Sequence, residues 1–166
     1  TYIDHSHANA IVALTNLEGR AHVQRALGDD LAVVPYVMPG FELAKAAAEA
    51  YEAQPDCIGL VLLNHGLFTF GSTARESYER HLEVVGRARA YLDTHAPRPA
   101  VPDADLEAAR TRAVQWLPKL RGALSERWVF EHRVDAELLA ALDHPDLAHF
   151  AASGPLTPDH VIRTKP

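Results

Sequence analysis

The spacing of apolar and polar residues predicts alternating strands and helices in the first part of the chain. Residues 57–63 form a continuous apolar run, which is typical of a central strand covered on both faces. Shorter apolar runs at 31–35 and 67–70 predict two more strands, and residues 1–7 predict an extended segment. Helices are predicted between and after these segments, over residues 8–17, 20–27, 41–54 and 74–94. Ser72 or Thr73 is expected to cap the last of these helices.

The pattern changes at residues 96–103, where three prolines predict a stiff linker. Beyond the linker the periodicity is mostly helical, with a kink expected at Pro118. A short strand is predicted over 127–132, and the chain ends in a turn-rich segment. The later elements are helices over residues 105–124, 136–142 and 146–152.

Composition and charge restrict the classes of partner. The chain is 48% hydrophobic and 23% charged with a net charge of -6, as in ordinary globular proteins. Lys and Arg are scattered, so neither nucleic acid nor an anionic membrane is an expected partner. No apolar run is long enough to span a bilayer. The single cysteine, Cys57, excludes an internal disulfide, and we expect a cytoplasmic location.

Three of the ten histidines stand where they can share a metal ion. His5 and His7 point the same way only in an extended chain, because helical neighbours two apart diverge by about 200°. His65 follows the apolar run at 57–63, and functional groups gather at the carboxyl ends of strands. Gly66 is expected to let the backbone turn there. The alternatives are a chance pair and a histidine that caps a strand. The histidines in helix, strand or linker patterns are expected to be structural: His22, His81, His95, His132, His144 and His149.

Three stretches resemble the class II aldolase and adducin family: Asp-His-Ser-His-Ala-Asn-Ala at 4–10, Pro-Gly-Phe-Glu-Leu-Ala at 39–44 and Leu-Leu-Asn-His-Gly-Leu-Phe-Thr-Phe-Gly at 62–71. The resemblance implies an α/β fold of three layers, α/β/α, with a central sheet that is largely antiparallel or mixed. The mostly helical C-terminal extension is expected from the pattern beyond the linker. It implies that His5, His7 and His65 bind zinc or another divalent metal. Asp4 and Asn64 then become candidates for orienting the ligands; a helix cap and a turn are the alternatives.

The segment Gly-Pro-Leu-Thr-Pro-Asp-His at 154–160 resembles part of bifunctional proteins that join a rhamnulose-1-phosphate aldolase to a short-chain dehydrogenase. This resemblance implies zinc-dependent cleavage of a 1-phosphorylated deoxyketose to dihydroxyacetone phosphate and an aldehyde. NAD would bind only a dehydrogenase domain beyond Pro166. A sugar-phosphate 4-epimerase and a metal-free, adducin-like interaction module are the alternatives. Thr157, Asp159 and His160 could contact the sugar phosphate or form a structural turn.

The resemblance also predicts the domain organisation. Residues 1–95 would be the C-terminal, metal-binding part of an aldolase-like domain, residues 96–103 the linker and residues 104–166 the helical extension. In the family the acid/base glutamate and the phosphate-binding loops precede the His-x-His pair. We therefore expect them upstream of Thr1 and expect the fragment alone to be inactive, since Glu18 and Glu42 follow the pair. A homo-oligomer is also expected.

Overall fold

The computed structural model describes residues 1–17, 19–96 and 104–154. The chain divides into two compact units, of which the first contains Thr1–Arg98 and the second is Pro99–Gly154. All strands among the described residues belong to the first unit. In the described part of the second unit, the regular elements are all helices.

A four-stranded mixed sheet forms the centre of the first unit. Its strands are β1 (Tyr2–Ser6), β2 (Leu31–Val34), β3 (Gly59–Leu62) and β4 (Gly66–Gly71), in the order β1-β4-β3-β2. β2 and β3 are parallel, whereas β4 is antiparallel to both of its neighbours. Every residue of β3 is buried, as its continuous apolar run predicts. The pairing brings the end of β1, the end of β3 and the start of β4 to the same end of the sheet.

Helices cover both faces of this sheet. They are α1 (Asn9–Asn16), α2 (Ala21–Leu27), α3 (Phe41–Ala53) and α4 (Ala74–His95). On one face, residues of α1, α2 and α4 pack with Val61 and Leu67 of the sheet. On the other, Leu43 of α3 packs with neighbouring apolar strand residues. The predicted three-layer α/β/α arrangement is therefore confirmed.

Local chemistry sets the ends of the helices. α2 ends at Gly28, whose φ of 89° is a left-handed conformation that glycine adopts without steric cost. Thr73 is the cap of α4, because its side chain accepts a hydrogen bond from the backbone N–H of Glu76. Ser72, the other predicted cap, donates instead to the Glu76 carboxylate.

The second unit contains α5 (Leu106–Ala123), α6 (Ala136–Leu142) and α7 (Leu147–Ala152). α5 continues through Pro118. The predicted strand at 127–132 is wrong, because these residues have no regular secondary structure. The described part of this unit offers no other strand with which they could pair, and an unpaired strand leaves its backbone groups unsatisfied. Among the described residues, no helix combines the length and the apolarity that crossing a membrane requires.

Candidate metal centre

His5 makes two contacts with β4. It lies in β1 opposite Phe68 of β4, and the two rings stack with centroids 4.1 Å apart and planes 18° apart. The Nδ1 atom of His5 is 2.9 Å from the carbonyl oxygen of Leu67. A carbonyl can only accept, so Nδ1 carries the proton and, in the neutral ring, the lone pair lies on Nε2. Nε2 of His5 is therefore the candidate metal-binding atom.

The other two histidines converge on this atom. His7 follows the end of β1, and its Nε2 is 3.1 Å from the Nε2 of His5. His65 lies in the turn between β3 and β4 and is buried. Its ring centroid is 4.7 Å from that of His7 and 5.5 Å from that of His5. One ligand atom from each of the three side chains lies within 4.8 Å of the others.

This spacing fits a metal ion bound by three imidazoles. Two nitrogens that bind zinc at about 2.0–2.1 Å with a near-tetrahedral angle lie roughly 3.3 Å apart. The His5–His7 separation of 3.1 Å is close to that value. The widest separation, at most 4.8 Å, would close by about 1.5 Å on binding, which ring rotation can supply. Imidazole suits zinc and similar transition metals, whereas magnesium and calcium prefer oxygen.

The turn that carries His65 is built by Asn64. Asn64 has a φ of 57°, a left-handed conformation that asparagine tolerates better than most residues. Its backbone N–H donates to Thr15 Oγ1 at 3.2 Å, and its side-chain amide donates to Asn16 Oδ1 at 2.8 Å. Asn64 thus ties the turn to α1, and an orienting role for Asn64 at the metal centre stays a prediction.

Gly66 has a different role from the one expected. Its φ is not positive, so it does not make the sharp turn. A Cβ atom at Gly66 would lie 2.4 Å from the carbonyl oxygen of Ser6 and 2.9 Å from Cδ2 of His7. Glycine is therefore required because the end of β1 and the ring of His7 approach the backbone closely.

Asp4 lies on the opposite face of β1 from His5, because side chains alternate along a strand. This is the face covered by α4, where the carboxylate of Asp4 acts on His81 and favours its charged form. The proton on Nδ1 of His5 goes to the Leu67 carbonyl and not to Asp4. An orienting role for Asp4 stays a prediction. Thr157, Asp159 and His160 lie outside the described residues.

Beneath the histidine cluster, the structure connects a fourth histidine to β1. His81 of α4 is buried, and its Nε2 is 2.6 Å from the hydroxyl of Ser6. Its Nδ1 is 2.9 Å from the hydroxyl of Thr69. Burial lowers the pKa of His81, opposed by Asp4 and assisted by His5, so the neutral ring is favoured. The sequence offered no signal for this contact, since Ser6 and His81 are 75 residues apart.

Two family models match the chain. Residues 1–92 match the class II aldolase and adducin N-terminal domain, and residues 111–166 match the second domain of class II aldolases. A curated protein that is similar to this chain is the uncharacterized oxidoreductase YuxG of Bacillus subtilis (strain 168), which is 28% identical over 180 residues. That alignment covers 99% of this chain and 25% of YuxG, so the chain spans about a quarter of its relative.

Solved structures show the same similarity. The N-terminal class II aldolase domain of a conserved protein from Thermoplasma acidophilum is 40% identical, with a TM-score of 0.49 over 54% of this chain and 41% of that chain. YgbL of Klebsiella pneumoniae is 29% identical, with a TM-score of 0.45 over 65% of this chain and 55% of that chain. Because the first family model matches more than half of the sequence, the chain belongs to the class II aldolase and adducin family.

Proposed function

We propose that the protein to which this chain belongs is a zinc-dependent aldolase. It would cleave a 1-phosphorylated deoxyketose of the rhamnulose 1-phosphate type to dihydroxyacetone phosphate and an aldehyde. One observation carries the proposal: three imidazoles, one from β1, one from the residue after it and one from the turn between β3 and β4, offer ligand atoms within 4.8 Å of one another. Membership of the class II aldolase and adducin family supports the same reaction class.

The roles of the three histidines follow from their chemistry. His5, with its proton held on Nδ1 by the Leu67 carbonyl, would contribute a neutral nitrogen, and His7 and His65 would complete the set. Neutral ligands leave the full double charge of the ion available to the substrate. When bound, zinc would act as a Lewis acid that polarises the carbonyl of the ketose phosphate.

The rest of the reaction is assigned to the whole protein. Carbon–carbon cleavage also requires an acid/base group and a grip on the phosphate. We place both in sequence that precedes Thr1, as the family resemblance implies. The proposal concerns the whole protein because this chain spans about a quarter of the length of its curated relative.

The proposal is tested by measuring release of dihydroxyacetone phosphate from rhamnulose 1-phosphate with the zinc-loaded whole protein. His65→Ala is expected to remove the metal and lower the rate by about 10³-fold or more, since a Lewis acid contributes several kcal/mol. His95→Ala, which alters an exposed histidine of α4 stacked on Tyr91, is the control and should retain metal and activity. A fully active, zinc-free His65→Ala protein would contradict the proposal. Formation of an epimer without aldehyde would favour the epimerase.

A further inference from the structure

Ser6, which lies between His5 and His7, is held by a contact with α4. Side chains alternate along β1, so the hydroxyl of Ser6 points to the face covered by α4 while His5 points to the other face. The hydroxyl meets Nε2 of His81 at 2.6 Å. His81 is 7% exposed, which makes this contact part of the packed interface between the sheet and α4. Ser6 thus connects the interface between the sheet and α4 to the two histidines on either side of it.

The direction of each hydrogen bond in this interface can be assigned. The Thr69 hydroxyl donates to the carbonyl oxygen of Ser77 at 3.1 Å, so its oxygen is left to accept the proton on Nδ1 of His81. A neutral imidazole with its proton on Nδ1 has its lone pair on Nε2. The hydroxyl of Ser6 must therefore donate to His81. Thr69 and Ser77 are fully buried, so the Thr69 end of this chain of hydrogen bonds is shielded from water, whereas the bond between Ser6 and His81 is partly buried.

The end of β1 needs such an anchor. Among the described strands, β1 lies at the edge of the sheet and pairs with β4 alone, and its ladder ends at the pair Ser6–Leu67. His7 lies beyond the last pair, where a strand end frays unless other contacts hold it. The carbonyl of Ser6 packs against Gly66 on one side, and its hydroxyl is held by His81. Together these contacts fix the backbone from which both histidines project.

We propose that His81 is a positioning residue of the metal centre: by accepting the hydroxyl proton of Ser6, it holds the end of β1 so that His5 and His7 present their nitrogens to one ion. The inference rests on the metal-binding part of the proposed function. It gives a role in the site to a histidine that the helical pattern of the sequence marks as purely structural.

Two substitutions at His81 separate positioning from packing. The amide of glutamine reaches the place of Nε2, so His81→Gln keeps an acceptor for Ser6 and gives up the bond to Thr69. The amide of asparagine reaches the place of Nδ1, so His81→Asn keeps the bond to Thr69 and gives up Ser6. Both remove the buried ring, so their thermal unfolding midpoints should fall by similar amounts.

The measurement is the affinity of the 166-residue chain for Co²⁺, read from the visible absorption of the bound ion. We expect His81→Asn and Ser6→Ala to bind about tenfold more weakly, which is the lower end of the effect of removing supporting hydrogen bonds at metal sites. His81→Gln should stay close to the unaltered chain. Ser77→Ala is the matched control, because it removes a hydroxyl from the same interface that bonds only to the Thr69 carbonyl among the contacts seen. Equal affinities for His81→Gln and His81→Asn, whether both unchanged or both weakened, would overturn the inference.

A second readout needs no metal. In crystal structures of the metal-free chain, the separation of the two Nε2 atoms of His5 and His7 should stay near 3.1 Å in His81→Gln and widen in His81→Asn. An unchanged separation in both variants would overturn the inference. If the unaltered chain bound no Co²⁺, the proposed function would fail, and the crystallographic comparison would still decide the role of His81.

Discussion

At the scale of single residues, the candidate site depends on the residues that let its strands approach closely as well as on the three histidines. Gly66 permits the backbone of the turn to touch the end of β1, and His81 reaches the same strand end from α4. The three candidate ligands could be named from the sequence, because they stand in motifs that resemble those of the class II aldolase and adducin family; that they bind a metal stays a prediction. The supporting residues could not be named, because neither the clearance at Gly66 nor the contact of His81 exists until β1 and β4 have paired.

Gly66→Ala is expected to lower both stability and metal affinity. The added methyl group would lie 2.4 Å from the carbonyl oxygen of Ser6, so backbone would have to move. Overpacking of this kind costs about 1–3 kcal/mol. Urea unfolding of the metal-free chain measures the loss, and Co²⁺ titration measures the change at the site.

The control for this prediction is Gly86→Ala. Gly86 lies within α4, and a Cβ there meets nothing within 4 Å. Alanine should therefore stabilise the chain by about 0.5–1 kcal/mol, the ordinary gain over glycine in a helix. Equal effects of the two substitutions would show that clearance at Gly66 is unimportant.

At the scale of elements, the sequence predicts well the strand that is buried on both faces and the helices of the first unit. β3 is recognised from its apolar run, and the helices of the first unit from their periodicity, with ends within one or two residues of the structure. The apolar residues at 127–132 led to a wrong prediction because, unlike those of β3, they are not buried. Val129 is 95% exposed, so its apolar side chain indicates neither a strand nor a position in the core.

An ion pair joins two elements of the first unit. Arg87 of α4 donates to Asp30, which directly precedes β2, with an N–O distance of 2.7 Å, and to the carbonyl of Leu27 at the end of α2. The hydrogen bond from Arg87 holds the pKa of Asp30 below its ordinary value. A lowered folded-state pKa means that the stabilisation is present above about pH 4, the unfolded value, and is lost as pH falls through the folded one.

Asp30→Asn is expected to destabilise the chain at pH 7 by about 0.5–1 kcal/mol, because both partners are partly exposed and water screens the pair. The difference from the unaltered chain should shrink as the pH is lowered below 4. Urea unfolding at pH 7 and pH 3 measures it. A difference that is the same at both values would show that the charge of Asp30 contributes nothing.

At the scale of the whole molecule, the three candidate ligands all lie in the first unit. They come from β1, from the residue that follows it and from the turn between β3 and β4. Zinc that binds the folded but not the unfolded chain stabilises the fold by mass action, by about 2.7 kcal/mol at a concentration 100 times Kd. We expect zinc to raise the unfolding temperature of the chain, with no increase for His65→Ala. An increase of the same size in both would place the bound metal elsewhere.

The antiparallel pairing of β1 with β4 also has a consequence for how the protein is made. His5 and His65 are neighbours in space but lie 60 positions apart, so a loop of that length must close before the ligands meet. Contacts between distant positions form late and slowly compared with local ones. During synthesis, His5 and His7 are therefore made long before His65 can reach them. An ion captured at that stage would be held by two ligands and easily exchanged, so stable loading waits for the sheet to close.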